Sequence, residues 1–133
     1  MDPASVSNQV KALSDPFRWV RSLYRWIRGR RRVRAFVEGP LHHDQALILH
    51  GSFSTSRSDW GNRMFEWEET WHGFGSFETR LTLLVDEGAV EILGVQEKDR
   101  STVRRYRFSP WFYKYLDTSP GVIAHIKARS RSN

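Results

Sequence analysis

Hydrophobic positions along the chain recur first every three or four residues and then, beyond residue 32, every two. Val6, Val10, Leu13 and Phe17 stand at helical spacing, with Ser5 as a cap, and predict a weak helix over the first fourteen residues. Asp15-Pro16 reads as a fresh helix start, since Asp15 suits the N-cap and Pro16 the first helical position. From there to Arg28 the pattern is strong. Trp19, Val20, Leu23, Trp26 and Ile27 share one broad face at about 100° per residue, and Arg18, Arg21, Arg25 and Arg28 share the opposite one. Gly29 is placed to end this helix in a left-handed cap.

The alternating pattern begins at Val33. Val33, Ala35 and Val37 alternate with polar or bulky neighbours until Gly39-Pro40 stops the run. Ala46 to Thr55 reads as a second strand, with Leu47, Leu49 and Phe53 on one side, followed by a polar loop from Ser54 to Asn62. Arg63 to Trp71 alternates Phe65, Trp67 and Trp71 against Glu66 and Glu68, and His72-Gly73-Phe74-Gly75 then forms a bend. Phe77, Leu81, Leu83 and Val85 suggest the longest strand. Asp86-Glu87-Gly88 would be its hairpin connection and Ala89 to Gln96 its return. Thr102 to Phe108 is a further strand, Ser109-Pro110 starts a short helix near 110–117, and Val122 to Ala128 alternates once more. The expected fold is therefore α+β and mostly β: about seven antiparallel strands in a small barrel or sandwich, preceded by a basic amphipathic helix. Residues 1–32 would form a basic helical arm, 33–129 a single β-rich domain, and 130–133 a disordered tail.

Composition narrows the classes. A chain of 133 residues with 39 % hydrophobic and 14 % aromatic side chains carries one core. It has no cysteine, so disulfides, thiolate metal sites and a cysteine nucleophile are excluded. No apolar run approaches the roughly 20 residues of a membrane span, and arginines interrupt every apolar stretch after Phe17. An intracellular protein, cytoplasmic or nuclear, or one held peripherally at a membrane, is expected.

Charge sharpens the picture more than composition does. The formal net charge of +6 hides a basic–acidic–basic sandwich. Residues 1–36 carry nine basic and two acidic side chains, residues 37–97 three basic and eleven acidic, and residues 98–133 nine basic and two acidic. Within the sequence alone the acidic middle is open to two uses: pairing with the basic ends of its own chain, or contacting the basic end of a neighbour in a homo-oligomer. The candidate anion-binding residues, for phosphate or lipid headgroup, are Arg18, Arg21, Arg25, Arg28, Arg30, Arg31, Arg32 and Arg34, joined by Arg105, Arg107, Lys127 and Arg129. If the last strand lies beside Thr102–Phe108, then Arg105, Arg107, Lys127, Arg129 and Arg131 share one sheet face. Trp19, Leu23 and Trp26 form a membrane-contacting or partner-contacting face.

No catalytic residue is assigned. Glu66 and Glu68 lie on one side of their strand beside Glu69 and His72, an arrangement that serves acid–base chemistry only inside a pocket. His42, His43, Asp44 and His50 match no standard metal spacing, and no cofactor motif is present. The expected function is thus non-enzymatic: a basic binding or structural protein on nucleic acid or an anionic membrane surface. A compact β-rich domain with a basic extension is similar in organisation to small viral matrix proteins, and that resemblance implies self-assembly on lipid or ribonucleoprotein. The alternative is a lipocalin-like barrel binding a small apolar ligand or acting as a cyclase or isomerase, its cavity lined by Trp67, Trp71, Phe77 or Leu81.

Overall fold

The computed structural model describes residues 17–58, 62–70 and 76–131. Among them are six helices and three strands. In chain order these are α1 (Arg18–Glu38), α2 (His43–Ser58), β1 (Met64–Thr70), α3 (Phe77–Arg80), α4 (Thr82–Asp86), β2 (Val90–Glu97), β3 (Ser101–Phe108), α5 (Pro110–Thr118) and α6 (Pro120–Arg131). The chain divides into two compact units, Met1–Arg32 and Val33–Asn133. The expectation of a mostly β barrel or sandwich is overturned. Helix predominates, and the only sheet among the described residues is open, antiparallel and three-stranded, in the order β1-β3-β2. The β-rich body on which the likeness to matrix proteins rests, and the barrel of the ligand-binding alternative, are not what the described residues form.

Four segments read as strands are helical, for one recurrent reason. Val33 and Val37 satisfy both a period of two and a spacing of four, and both are fully buried. Ala35, which a strand would bury beside them, is exposed. Gly29 therefore does not stop α1. The stop comes at Gly39-Pro40, where a side chain at 39 would approach the Ala35 carbonyl to 3.0 Å. In α2 the buried set is Ala46, Ile48, Leu49, Ser52, Phe53 and Ser56, at spacings of three and four, while Leu47 is exposed. Its start carries half of a capping box, the His42 N–H donating to Gln45 Oε1 at 3.0 Å. Phe77, Leu81 and Leu84 are buried in α3 and α4, and Ser76 caps α3 by accepting from the Thr79 N–H at 3.0 Å. In α6 Ile126 is buried and Val122 and Ile123 are half-buried, whereas Ala124 and Ala128 are exposed.

The strands Met64–Thr70, Val90–Glu97 and Ser101–Phe108 and the helix Pro110–Thr118 lie where the sequence predicts them. The pairing differs. β3 returns from β2 across the 98–100 turn, and Gly88 connects α4 to β2 rather than two strands. β1 and β2 both pair with β3, setting Phe65 and Ile92 opposite Tyr106 and Val90 opposite Phe108. A bulge lies between Ile92 and Gly94. One sheet face carries the buried Phe65, Val90, Tyr106 and Phe108, while the rest of β2, including Ile92 and Val95, stays exposed; the other face carries Glu66, Glu91, Arg105 and Arg107.

Beneath the buried face sits an aromatic cluster. Phe65 stacks on Tyr106 with centroids 5.3 Å apart and planes inclined by 20°. Phe77 lies 4.6 Å from Tyr106, Phe65 lies 5.0 Å from Phe108, and Phe53 meets Phe108 edge-on at 6.2 Å. Trp67 and Trp111 pack against this core without being fully buried. The weak helix expected before residue 15, the Asp15-Pro16 start, Trp60, Trp71 and the 72–75 bend lie outside the described residues. The expected tail is helical as far as Arg131.

Two stability predictions follow from this packing. Phe65→Ala removes the ring that three aromatic neighbours share, and urea unfolding of the Val33–Asn133 unit should show a loss of about 3–5 kcal/mol. Gly88 has φ +73° with open space around its Cα. Gly88→Ala should therefore cost on the order of 1 kcal/mol through backbone strain alone, and Gly88→Asn less. Equal midpoints for the alanine variant and the parent protein would refute the strain argument.

Candidate functional site: the arginine-rich helix

Between Arg18 and Arg34 the sequence has eight arginines and no acidic residue. All of them but the half-buried Arg30 are exposed. As a helix this segment sorts its side chains sharply. Trp19, Val20, Leu23, Trp26 and Ile27 fall within an arc of about 120°, and Arg18, Arg21, Arg25, Arg28 and Arg32 within an opposite arc of about 80°. The apolar face is not covered: Trp19 is 66 % exposed, Leu23 44 %, Trp26 49 % and Ile27 39 %. Phe17 and Tyr24 add exposed aromatic surface at the flank, which the sequence reading of the face does not include. Arg30 lies over the indole of Trp26, its guanidinium carbon 3.3 Å from the ring centroid.

The charges run against the helix macrodipole. Arg18 and Arg21 stand in the first turn, whose N–H groups already carry partial positive charge. The last turn has no basic residue and ends in Glu38. Glu38 is held instead by the Tyr115 hydroxyl, which donates to it. Arg34 lies over the Tyr115 ring at 5.0 Å, so this arginine has a packing role within its own unit.

The second basic cluster takes a different form from the one expected. Arg105 and Arg107 do share the outer sheet face, opposite Tyr106 and Phe108. Lys127, Arg129 and Arg131 lie on helix α6 rather than on a neighbouring strand, so no five-cation sheet face forms. Arg105 pairs with Glu66 at 3.0 Å and Arg107 with Glu91 at 3.2 Å, across the strands. Glu68 accepts from Ser101 Oγ at 2.7 Å. Arg104, which sequence reasoning did not single out, bridges Glu69 at 3.3 Å and Glu78 at 2.8 Å and so ties β1, β3 and α3 together. The only sequence signal for it is its place in the Arg-Arg-Tyr-Arg run. Arg129 donates to the Gly39 carbonyl at 3.1 Å, and its own carbonyl lies 3.2 Å from His43 Nδ1.

Glu66 and Glu68 are engaged as above. The Tyr106 hydroxyl is buried beside Glu78 and Arg104 without hydrogen-bond geometry to either. Burial first, and then Glu78, hold its phenol well above the ordinary range. Burial and then Glu38 do the same for Tyr115. Both therefore stay protonated at neutral pH. Of the residues expected to line a ligand cavity, Phe77 and Leu81 lie fully buried in the hydrophobic core, Trp67 borders an open groove with Leu47 and Ile48, and Trp71 lies outside the described residues. Among the described residues no group of three or more His, Asp or Glu side chains is placed to hold a metal ion. Also among them, no helix is long and apolar enough to cross a membrane.

His50 of α2 lies close to Lys127 and Arg131 of α6. Burial first, then the charges of Lys127 and Arg131, hold its imidazole below the ordinary 6.5. The unfolded chain thus binds this proton at higher pH than the folded one. The stabilisation from a neutral His50 is complete above about pH 6.5 and is lost as the pH falls through the lowered folded value. The urea midpoint should fall between about pH 7.5 and pH 5, and by less in His50→Gln. An identical pH profile for the two proteins would remove His50 from the explanation.

No protein-family model, curated protein or solved structure matches the chain.

Proposed function

We propose that the chain is a non-enzymatic binding protein whose arginine-rich helix contacts a polyanionic partner. One observation carries the reading: eight arginines and no acid lie on one continuous helical stretch. Arginines three and four apart on a helix repel, by about 0.2–0.5 kcal/mol per pair. Arg21–Arg25, Arg25–Arg28, Arg28–Arg32 and Arg30–Arg34 are all such pairs. Their placement gains nothing from the macrodipole. An anionic surface offsets both penalties, because each guanidinium gains a phosphate or carboxylate and the mutual repulsion is screened.

The cations of β3 sit in a different setting. Arg104, Arg105 and Arg107 are matched by Glu69, Glu78, Glu66 and Glu91 of their own unit. Four of the eleven acidic residues between positions 37 and 97 are engaged in this way.

Replacing Arg28, Arg30, Arg31 and Arg32 together with Gln keeps helix propensity close to that of arginine. Affinity for RNA or for phosphatidylglycerol vesicles, whichever the parent protein binds, should fall on the order of 100-fold or more at moderate salt. The unfolding midpoint of the Val33–Asn133 unit should stay unchanged. Unaltered binding of both probes would overturn the proposal.

A further inference from the structure

We infer that the polyanion is the surface of an anionic lipid bilayer, on which residues 17–32 lie in the interface plane with Trp19, Leu23, Trp26 and Ile27 inserted among the headgroups. This rests on the reading of the arginines given above and adds what they alone leave unexplained. Phosphate binding uses only the basic face. It does not account for a continuous apolar face whose members are 39–66 % exposed. A nucleic acid would leave that face in water, whereas a bilayer surface takes up both faces at once.

The chemistry of the face fits this occupant in detail. Its two tryptophans stand seven residues apart, two helical turns along one stripe, and indole settles at the headgroup level, where one edge is apolar and the N–H is wet. Leu23 lies between them and supplies the deeper apolar contact. Tyr24 and Phe17, 66 % and 64 % exposed, stand at the flank of the stripe, at the height of the headgroups. Arg30 falls inside the apolar arc, but its guanidinium is stacked on Trp26, which keeps the charge beside an aromatic face and within reach of a lipid phosphate. The complete lack of acidic side chains from Arg18 to Arg34 makes the surface complementary to anionic lipid and not to zwitterionic lipid alone. The segment is far too charged to span, and an interfacial helix of large amphipathicity and low mean hydropathy is the arrangement that such a sequence supports.

The experiment compares the full-length protein with a variant carrying Trp19→Gln, Leu23→Gln and Trp26→Gln. Each is sedimented with phosphatidylglycerol–phosphatidylcholine vesicles, with pure phosphatidylcholine vesicles and, in parallel, titrated with RNA, over a range of salt. Glutamine preserves helix propensity, and a second variant, Trp19→Leu with Trp26→Leu, keeps the face apolar. The parent protein should bind the anionic vesicles, retain part of that binding in high salt, and show tryptophan quenching by brominated lipid. The glutamine variant should bind more than about tenfold more weakly and lose the salt-resistant part, while the leucine variant keeps it. Equal vesicle binding by the parent and glutamine proteins at every salt concentration would overturn the inference. So would RNA binding with a steep salt slope and no vesicle binding, which would leave the arginine reading standing. Binding to none of the probes would remove both.

Discussion

Every element from Val33 onward is placed by one requirement: the aromatic rings on the inner face of a three-stranded sheet must be covered. Phe65, Tyr106 and Phe108 project from that face, and two of the three strands are edges with no further strand to extend the cover. Helices supply it. The end of α1 contributes Val33 and Val37, α2 contributes Leu49 and Phe53, α3 and α4 contribute Phe77 and Leu84, and α5 and α6 contribute Phe112, Leu116 and Ile126. Tilted and stacked ring pairs at 4.6–5.3 Å add directional contact to the burial of area. A small sheet with a large aromatic face is thus compatible with a body made mainly of helix.

The other face of the same sheet sets Arg105 and Arg107 among carboxylates of its own unit. Antiparallel pairing puts Glu66 opposite Arg105 and Glu91 opposite Arg107, so charge alternates across the strands instead of accumulating. These pairs are exposed and contribute at most a few tenths to about 1 kcal/mol each. Their larger effect is on the long-range field, which they cancel locally. Arg104 acts differently. Its place on the inner side, near Glu69 and Glu78, makes it a tie between β1, β3 and α3. Segment counting alone cannot distinguish a charge sandwich that neutralises itself from one that faces outward, because the register decides.

The legible parts of the sequence were those whose pattern admits one period. Phe65, Trp67 and Glu66, Glu68 alternate strictly, as do Tyr106 and Phe108 with Arg105 and Arg107, and Ser109-Pro110 marks a helix start that nothing contradicts. The misread parts carry apolar residues four apart with small or apolar ones between. Val33-Arg34-Ala35-Phe36-Val37 and Val122 to Ala128 satisfy a period of two as well as a spacing of four. Propensity does not separate the two readings, since alanine favours the helix and valine the strand. Burial does: Ala35, Ala124 and Ala128 are all exposed. Polar caps held the missing information. Gln45 three residues after His42 and Thr79 three after Ser76 mark helix starts, each at the head of a segment whose alternation points to a strand. On the N-terminal helix the two periods never compete, because Trp19, Leu23 and Trp26 fit only the helical one. The candidate surface was for that reason more legible than the fold.

That helix is also where local and global consistency part. Within the Val33–Asn133 unit, caps, buried periodicity and cross-strand charge agree with one another. Along residues 18–32 each local rule is met only halfway. The periodicity is strong, yet the face it creates remains in solvent. The residues favour helix, yet their charges repel one another and oppose the dipole. In a folded chain such disagreement concentrates where selection acts on something other than stability. Two separate mismatches, apolar surface in water and a run of like charge with no acidic residue within it, are removed together by one kind of environment, apolar below and anionic at its edge. A partner offering only negative charge resolves the second and leaves the first. A purely apolar groove resolves the first and sets the arginines nothing to meet. The pairing of the two mismatches on opposite sides of a single helix is the ground on which we propose a lipid interface over the other anionic partners that arginine content alone would admit.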